Sequence, residues 1–278
     1  LKSSLQTFMN AFTFPDKTMY PVCSRNHQDF LNLMDVYLDA VLHPLCVTKK
    51  EIFLQEGWRY EMEFPEDEVT CNGVVYNEMK GVYASPDATI DSTMNRLLFP
   101  DNCYRFQSGG DPEHITELTY ENYIANYKRF YHPSNAYIIL DGDMEIDAVL
   151  AKIGNVLSEY DRLDIDSKIP IQKPVRPEEC ICSYEIGSNE EAEHKMILAG
   201  GWVYGRFDEL EKDIACSVLA ELLCSSNESP LKRAILEKGL AEDVELGKID
   251  GIQQSYLKLV IRNTSEEKKE EVWDTIYT

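Results

Sequence analysis

The sequence predicts an α+β fold, and three observations point to it. Apolar residues recur at helical spacing, as at Phe30, Leu33, Met34, Tyr37, Leu38, Val41 and Leu42. Short runs rich in β-branched, aromatic and aliphatic residues, such as 136–140 and 256–262, have strand character. The mixture then begins a second time after a proline-bearing stretch, so two units of one kind are expected within 278 residues.

Taken in order, residues 1–9 carry a pattern that predicts the end of a helix. Residues 10–14 alternate small or polar with aromatic side chains, Pro15 to Thr18 form a turn, and Met19 to Ser24 complete a hairpin. Asn26 is a suitable N-cap for the helix ending at His43-Pro44, because the residue before proline avoids helical dihedrals. A weaker helix and strand follow over 48–60, interrupted at Gly57. Residues 73–83 predict a helix, and Ser85-Pro86 starts another, since proline suits a first helical turn. Helices are expected at 119–130 and 146–160, with a buried strand at 136–140 between them. Three prolines and several charges leave 161–179 without periodicity, and 166–179 is taken as a linker between a domain at 1–165 and a partial domain at 180–278. In that second part strands are expected near 180–186, 195–203 and 256–262. Helices are expected at 208–223, at 229–238 with Gly239 as C-cap, and from 265 onward.

The balance of 27 basic against 49 acidic residues, a net charge of -22, repels nucleic acid and anionic membrane surfaces and favours basic peptides. Acidity of this kind also serves solubility alone. No apolar run in the sequence is of membrane-crossing length, and no N-terminal signal segment is visible. The chain opens on Leu1 within an already patterned segment, which predicts entry into the middle of a fold. The eight cysteines include one close pair, Cys180-x-Cys182, whose side chains fall on one face if the backbone is extended. A redox or metal pair and two ordinary strand residues are both readings of it. The remaining thiols suit a reducing compartment.

The chemistry-bearing residues are few. None of His27, His43, His114, His132 and His194 has a helical i, i+4 histidine partner, and neither His-Glu-x-x-His nor its inverse occurs. No nucleophile elbow and no phosphate-binding glycine loop is present. Glu78 sits on a predicted helix, where spacing alone makes it an ordinary solvated residue.

Several long segments alter that reading. Asn10 to Val22 resembles the cleft-edge hairpin of the pitrilysin/insulinase superfamily of inverted-zincin metallopeptidases, in wording closest to the presequence-protease branch. Asn32 to Val41, Gln55 to Glu61, Gly73 to Gly81, and Tyr131 to Asn135 followed by Asp141-Gly142-Asp143 are similar to further segments of that branch, in the same order. The resemblance implies α+β roll domains with mixed or antiparallel sheets packed by helices, the first lacking its start and the second truncated. It implies a zinc held by two histidines of a His-x-x-Glu-His helix and by a downstream glutamate. Glu78 matches that downstream ligand, while the motif, with its general base, is expected upstream of Leu1. Asn10, Ala11 and Phe12 match the edge strand to which a substrate peptide adds. Other branches place a second glutamate seven residues before the zinc ligand, and here that position is Cys71.

The expectation is a fragment of a zinc endopeptidase acting on extended, unfolded peptides through zinc-activated water. The fragment is expected to hold no catalytic residue of its own, to be inactive and not to bind zinc alone, and to self-associate through truncated surfaces. Its compartment would be the bacterial cytoplasm or an organelle matrix. A non-catalytic subunit and a peptide-binding scaffold of the same fold remain the alternatives.

Overall fold

The computed structural model describes residues 4–189 and 191–278. Its elements in chain order begin with β1 (Gln6–Met9), β2 (Phe12–Thr13), β3 (Thr18–Met19), β4 (Val22–Ser24), α1 (His27–Leu42) and α2 (Lys50–Glu56). These are followed by β5 (Arg59–Glu61), β6 (Thr70–Asn72), α3 (Val74–Tyr83), α4 (Pro86–Leu98), α5 (Pro112–Ile115), α6 (Tyr120–Phe130) and α7 (Ile146–Leu157). The chain closes with β7 (Met196–Arg206), α8 (Leu210–Cys224), α9 (Pro230–Glu237), β8 (Asp243–Ile249), β9 (Gln254–Thr264) and α10 (Lys269–Tyr277). Helices with small antiparallel sheets make this an α+β protein, as expected. Two compact units form: residues 1–82 with 108–168, and residues 83–107 with 169–278.

In the first unit, α1 begins where Asn26 accepts the Asp29 N–H at 2.9 Å. Its inner face brings Met34 against Val149 and Ile153 of α7. Phe53 of α2 packs 5.9 and 5.4 Å from the rings of Tyr120 and Tyr123 on α6. The Tyr120 hydroxyl donates to the carbonyls of Cys46 and Val47 at 2.9 Å, and that of Tyr127 to Val41 at 2.8 Å. These bonds cap carbonyls that the end of α1 and the turn after it would otherwise leave unpaired. The stretch His27–Val47 has the length and composition of a membrane span, which departs from the sequence reading. Its continuous helix, however, is the 16-residue α1, about 24 Å long against a hydrocarbon core of about 30 Å.

In the second unit, β9 is the centre of a sheet ordered β7-β9-β8. Odd-numbered Leu259 and Ile261 enter a core with Leu198, Ile235, Val244 and Val272, all under a tenth exposed. The opposite face of β9 meets α4. There the Tyr256 hydroxyl donates to Asn95 at 3.0 Å, and Lys258 and Arg262 pair with Asp91 and Asp87, each at 2.5 Å. Asp87, Asp91 and Asn95 are four residues apart, so one helical stripe matches alternate residues of one strand. Burial on both faces leaves β9 mixed in sequence, with Leu259 and Ile261 apolar on one face and Lys258 and Arg262 neutralised by α4 on the other.

Three expected elements give way. Residues 6–9 are a strand rather than a helix end, because pairing with 22–24 satisfies their backbone; residues 1–3 lie outside the described residues. The run 136–140 forms no ladder among the described residues and lies open, Tyr137 being 96% exposed. Residues 180–186 likewise form no strand. Strand β8 went unread, because its glycine and charges blur the alternation. The stretch taken as a linker is partly pinned. Gln172 is buried, exchanges hydrogen bonds with Gln254 at 2.6 and 3.1 Å, and clasps Asp101 at 2.8 and 2.9 Å. The units therefore divide the chain differently from the contiguous boundary read in the sequence, with α4 on the side of the later residues.

Candidate functional site

The start of α3 is set by backbone contact. A Cβ at Gly73 would stand 2.1 Å from the Gly57 carbonyl oxygen and 2.7 Å from Trp58 Cα. Only a residue without a Cβ lets the helix begin here against the end of α2. The Tyr76 N–H donates to Gly57 O at 3.3 Å, and Asn72 Oδ1 accepts from Gly73 N–H and Asn77 Nδ2, both at 2.7 Å. The Asn72 amide also donates to Glu61, which pairs with Arg59 at 2.9 Å. Arg59 first, then Asn72, hold the Glu61 carboxyl below the usual carboxylate range.

Met79 anchors α3 from its buried face, at 5% exposure. Its neighbour Glu78 is exposed and makes no hydrogen bond or ion pair among the described residues. Val74 and Val82, four residues to either side on the same stripe, are also exposed.

Three of the histidines have hydrogen-bond partners within the fold. His43 hydrogen-bonds the Tyr160 hydroxyl at 2.9 Å, His132 accepts from the Ser134 N–H at 3.1 Å, and His114 meets Glu117 at 3.2 Å. That carboxylate raises the His114 pKa. Among the described residues no three His, Cys, Asp or Glu side chains converge as a metal set.

Asn10, Ala11 and Phe12 lie consecutively on a twisted ribbon made of the β1–β4 and β2–β3 pairs. Between the pairs, Asn10 N–H donates to Pro21 O at 3.1 Å, while Ala11 N–H turns onto Asn10 Oδ1 at 2.8 Å. All three residues are exposed. The rings of Phe8, Phe12 and Phe14 follow one another at 6.3 and 6.2 Å, with Lys17 Nζ 4.9 Å from the last ring's centre. Phe12 is 39% exposed, so it is a surface aromatic and not a core one. Each sheet of the ribbon has only two strands, which leaves outer main-chain groups without a ladder partner among the described residues.

Helix α6 carries tyrosines that line a hollow, which the helix expected at 119–130 does not by itself reveal. Tyr123, Tyr127 and Tyr131 line a cavity of about 170 Å³ with Tyr20, Val41 and Cys46. The Tyr20 and Tyr131 hydroxyls are 2.9 Å apart. Burial pushes Tyr20 and Tyr123 well up and Tyr127 to about 12, so these phenols stay neutral at physiological pH.

Comparison with known proteins adds the following. The family described as "Peptidase M16 inactive domain" matches residues 117–277. The chain is 44% identical to Protein HypA of Clostridium perfringens over 99% of its length and 29% of that protein. It is 40% identical to presequence protease 1, chloroplastic/mitochondrial, of Arabidopsis thaliana over 99% of its length and 26% of that protein. It is 38% identical to the mitochondrial presequence protease of Aspergillus oryzae, over 86% and 24%. The chain thus spans less than a third of these curated relatives. Among solved structures, the peptidase M16 inactive domain from Pseudomonas fluorescens aligns with a TM-score of 0.68 at 17% identity, covering 97% of this chain and 61% of that one. A chain of complex III2 from Candida albicans aligns at 0.59 with 12% identity, covering 95% and 58%. At such identities the two structures establish likeness of fold.

Proposed function

This chain belongs to the M16 peptidase family, of the pitrilysin/insulinase superfamily and presequence-protease-like, and on that premise we propose that it is part of a zinc metalloendopeptidase that degrades unfolded peptides. Glu78 carries the reading. It is an exposed carboxylate without a partner among the described residues, on a helix whose start a glycine contact fixes in place. It offers one protein ligand where a catalytic zinc takes three. The donors among the described residues do not make up a zinc centre. In this reading the other two ligands are histidines of a His-x-x-Glu-His helix outside these 278 residues, and the chain alone is inactive and holds no zinc.

What the chain's own residues contribute is a surface for peptide. The main chain beside Asn10, Ala11 and Phe12 offers an open edge to which an extended peptide can add as a strand. That mode supplies affinity with little dependence on sequence. The net charge of -22 favours basic peptides. The exposed runs at Tyr137 and Ile139 and along α8 fit a piece of a larger enclosure, and in isolation they promote self-association. The relatives, one from a bacterium and one named chloroplastic/mitochondrial, support a compartment that is the cytoplasm in a bacterium or an organelle matrix in a eukaryote.

The test uses the full-length polypeptide that contains these residues. Glu78→Gln is expected to abolish bound zinc, measured by metal analysis, together with cleavage of an unfolded peptide. Retention of both refutes the assignment. Chelator-sensitive turnover by residues 1–278 alone, with zinc added, refutes the claim of inactivity. A second reading, a non-catalytic subunit of the same fold, draws on the word "inactive" in the description of the family matched over 117–277. It predicts a full-length protein that binds extended peptides, holds no zinc and cleaves nothing.

A further inference from the structure

Cys180 and Cys182 both lie exposed, with Sγ atoms 3.7 Å apart. Ile181 between them is 94% exposed and points away, so the two thiols share one face of an extended segment. That face is turned toward α4. The Thr93 hydroxyl lies 3.3 Å from Cys182 Sγ, and the Arg96 guanidinium acts on Cys180 in the sense that favours its thiolate. Thr93 and Arg96 are three residues apart and therefore on one side of α4. One helical face thus offers a hydroxyl to Cys182 and a cation to Cys180. The cation favours thiolate, the species that reacts. No ladder holds residues 180–182 in a strand. The backbone is free to pucker as the sulfurs close by about 1.7 Å to the roughly 2.05 Å of a disulfide.

We propose that Cys180 and Cys182 form a reversible thiol–disulfide exchange site whose co-reactant is a low-molecular-weight disulfide of the glutathione class. The Cys180 thiolate attacks one sulfur of the small disulfide, forming a mixed disulfide and expelling one small thiolate. Cys182, giving its proton to solvent, then attacks the Cys180 sulfur and expels the second small thiolate. Two protein thiols are oxidised to one disulfide, and one small disulfide is reduced to two thiols that take up the two protons. The ring encloses a single intervening residue and is strained. Such a disulfide has a labile, oxidising potential, unlike that of a structural cross-link. The Cys182 thiol, the largest influence on Cys180, raises its pKa, with burial adding and Arg96 opposing. Cys180 is therefore mostly protonated at neutral pH, and Arg96 favours the fraction of it present as thiolate.

The experiment treats the whole chain with oxidised glutathione, alkylates the remaining thiols and maps tryptic peptides. Trypsin spares Lys173-Pro174 and Arg176-Pro177, so residues 169–195 emerge as one peptide holding only these two of the eight cysteines. The expected product is that peptide without alkylation, lighter by two hydrogens and restored by dithiothreitol. Cys182→Ser should stop at a glutathione adduct on Cys180. Arg96→Gln should slow formation of the mixed disulfide on Cys180 about threefold, because the greater nucleophilicity of a more basic thiolate offsets part of the lost thiolate fraction. A peptide that stays doubly alkylated under oxidant, or that keeps glutathione on both sulfurs without closing, overturns the proposal. An unchanged rate in Arg96→Gln overturns the part assigned to α4.

Discussion

Replacing Gly73 by alanine tests the contact that positions α3. The added Cβ would meet Gly57 O at 2.1 Å, with Gly57 C and Trp58 Cα at 2.7 Å. Every one of these atoms is backbone, so no side chain can swing aside. Restoring an ordinary separation of about 3.5 Å requires the start of α3 to retreat by roughly 1.4 Å. The Asn72 and Tyr76 hydrogen bonds that join the helix to its neighbours would stretch with it. Overpacking of this kind costs about 1–3 kcal/mol. Gly81 is the control in the same helix: a Cβ there meets nothing within 4 Å. Gly81→Ala should stabilise the helix by roughly 0.5–1 kcal/mol, because alanine loses less backbone entropy. Hydrogen exchange over 74–83, followed by mass spectrometry, reads both. A loss of about 2 kcal/mol speeds exchange roughly thirtyfold, whereas Gly81→Ala should slow it. Equal protection in the two variants refutes the steric argument. Under the zinc-ligand role proposed for Glu78, a shift above 1 Å there should also lower turnover by the full-length polypeptide about a hundredfold.

Acid should destabilise the second unit. Lys248, followed by the Tyr204 hydroxyl, holds Asp213 below the ordinary aspartate range, and Lys232 does the same for Asp243. A depressed folded value contributes stability that is present above the unfolded value of about 3.9 and is lost as pH falls through the folded one. Melting temperature by circular dichroism should be flat between about pH 6 and 8 and fall below about pH 4. Asp213→Asn should blunt that fall, and an unchanged acid profile argues against the pairing. A third test concerns α8, where Leu210, Ile214, Val218 and Leu222 recur every fourth residue and are each more than half exposed. The isolated chain should associate as concentration rises, and Val218→Asp should shift sedimentation toward monomer. Sedimentation unaffected by the substitution removes α8 from the contact.

Much of the helical structure was legible in the residues alone. Asn26, Ser85-Pro86, Thr119 and Gly239 mark helix boundaries that the structure keeps to within a residue or two. The ordered segments that resemble one peptidase family led to the family the chain belongs to. A helix closes its hydrogen bonds within four residues, so its signal is written where it forms. Strands carry no such guarantee. The aliphatic run at 136–140 is without a ladder among the described residues while the mixed residues of β8 form one with β9 across a short turn, because a ladder depends on which segment lies alongside. The site divides in the same way. A carboxylate on a helix at Glu78 and a shared face for Cys180 and Cys182 follow from periodicity. That Glu78 stands without a partner among the described residues, and that Thr93 and Arg96 attend the two thiols, depends on how segments far apart in the chain are arranged. Those were decided by tertiary packing, which no local pattern records.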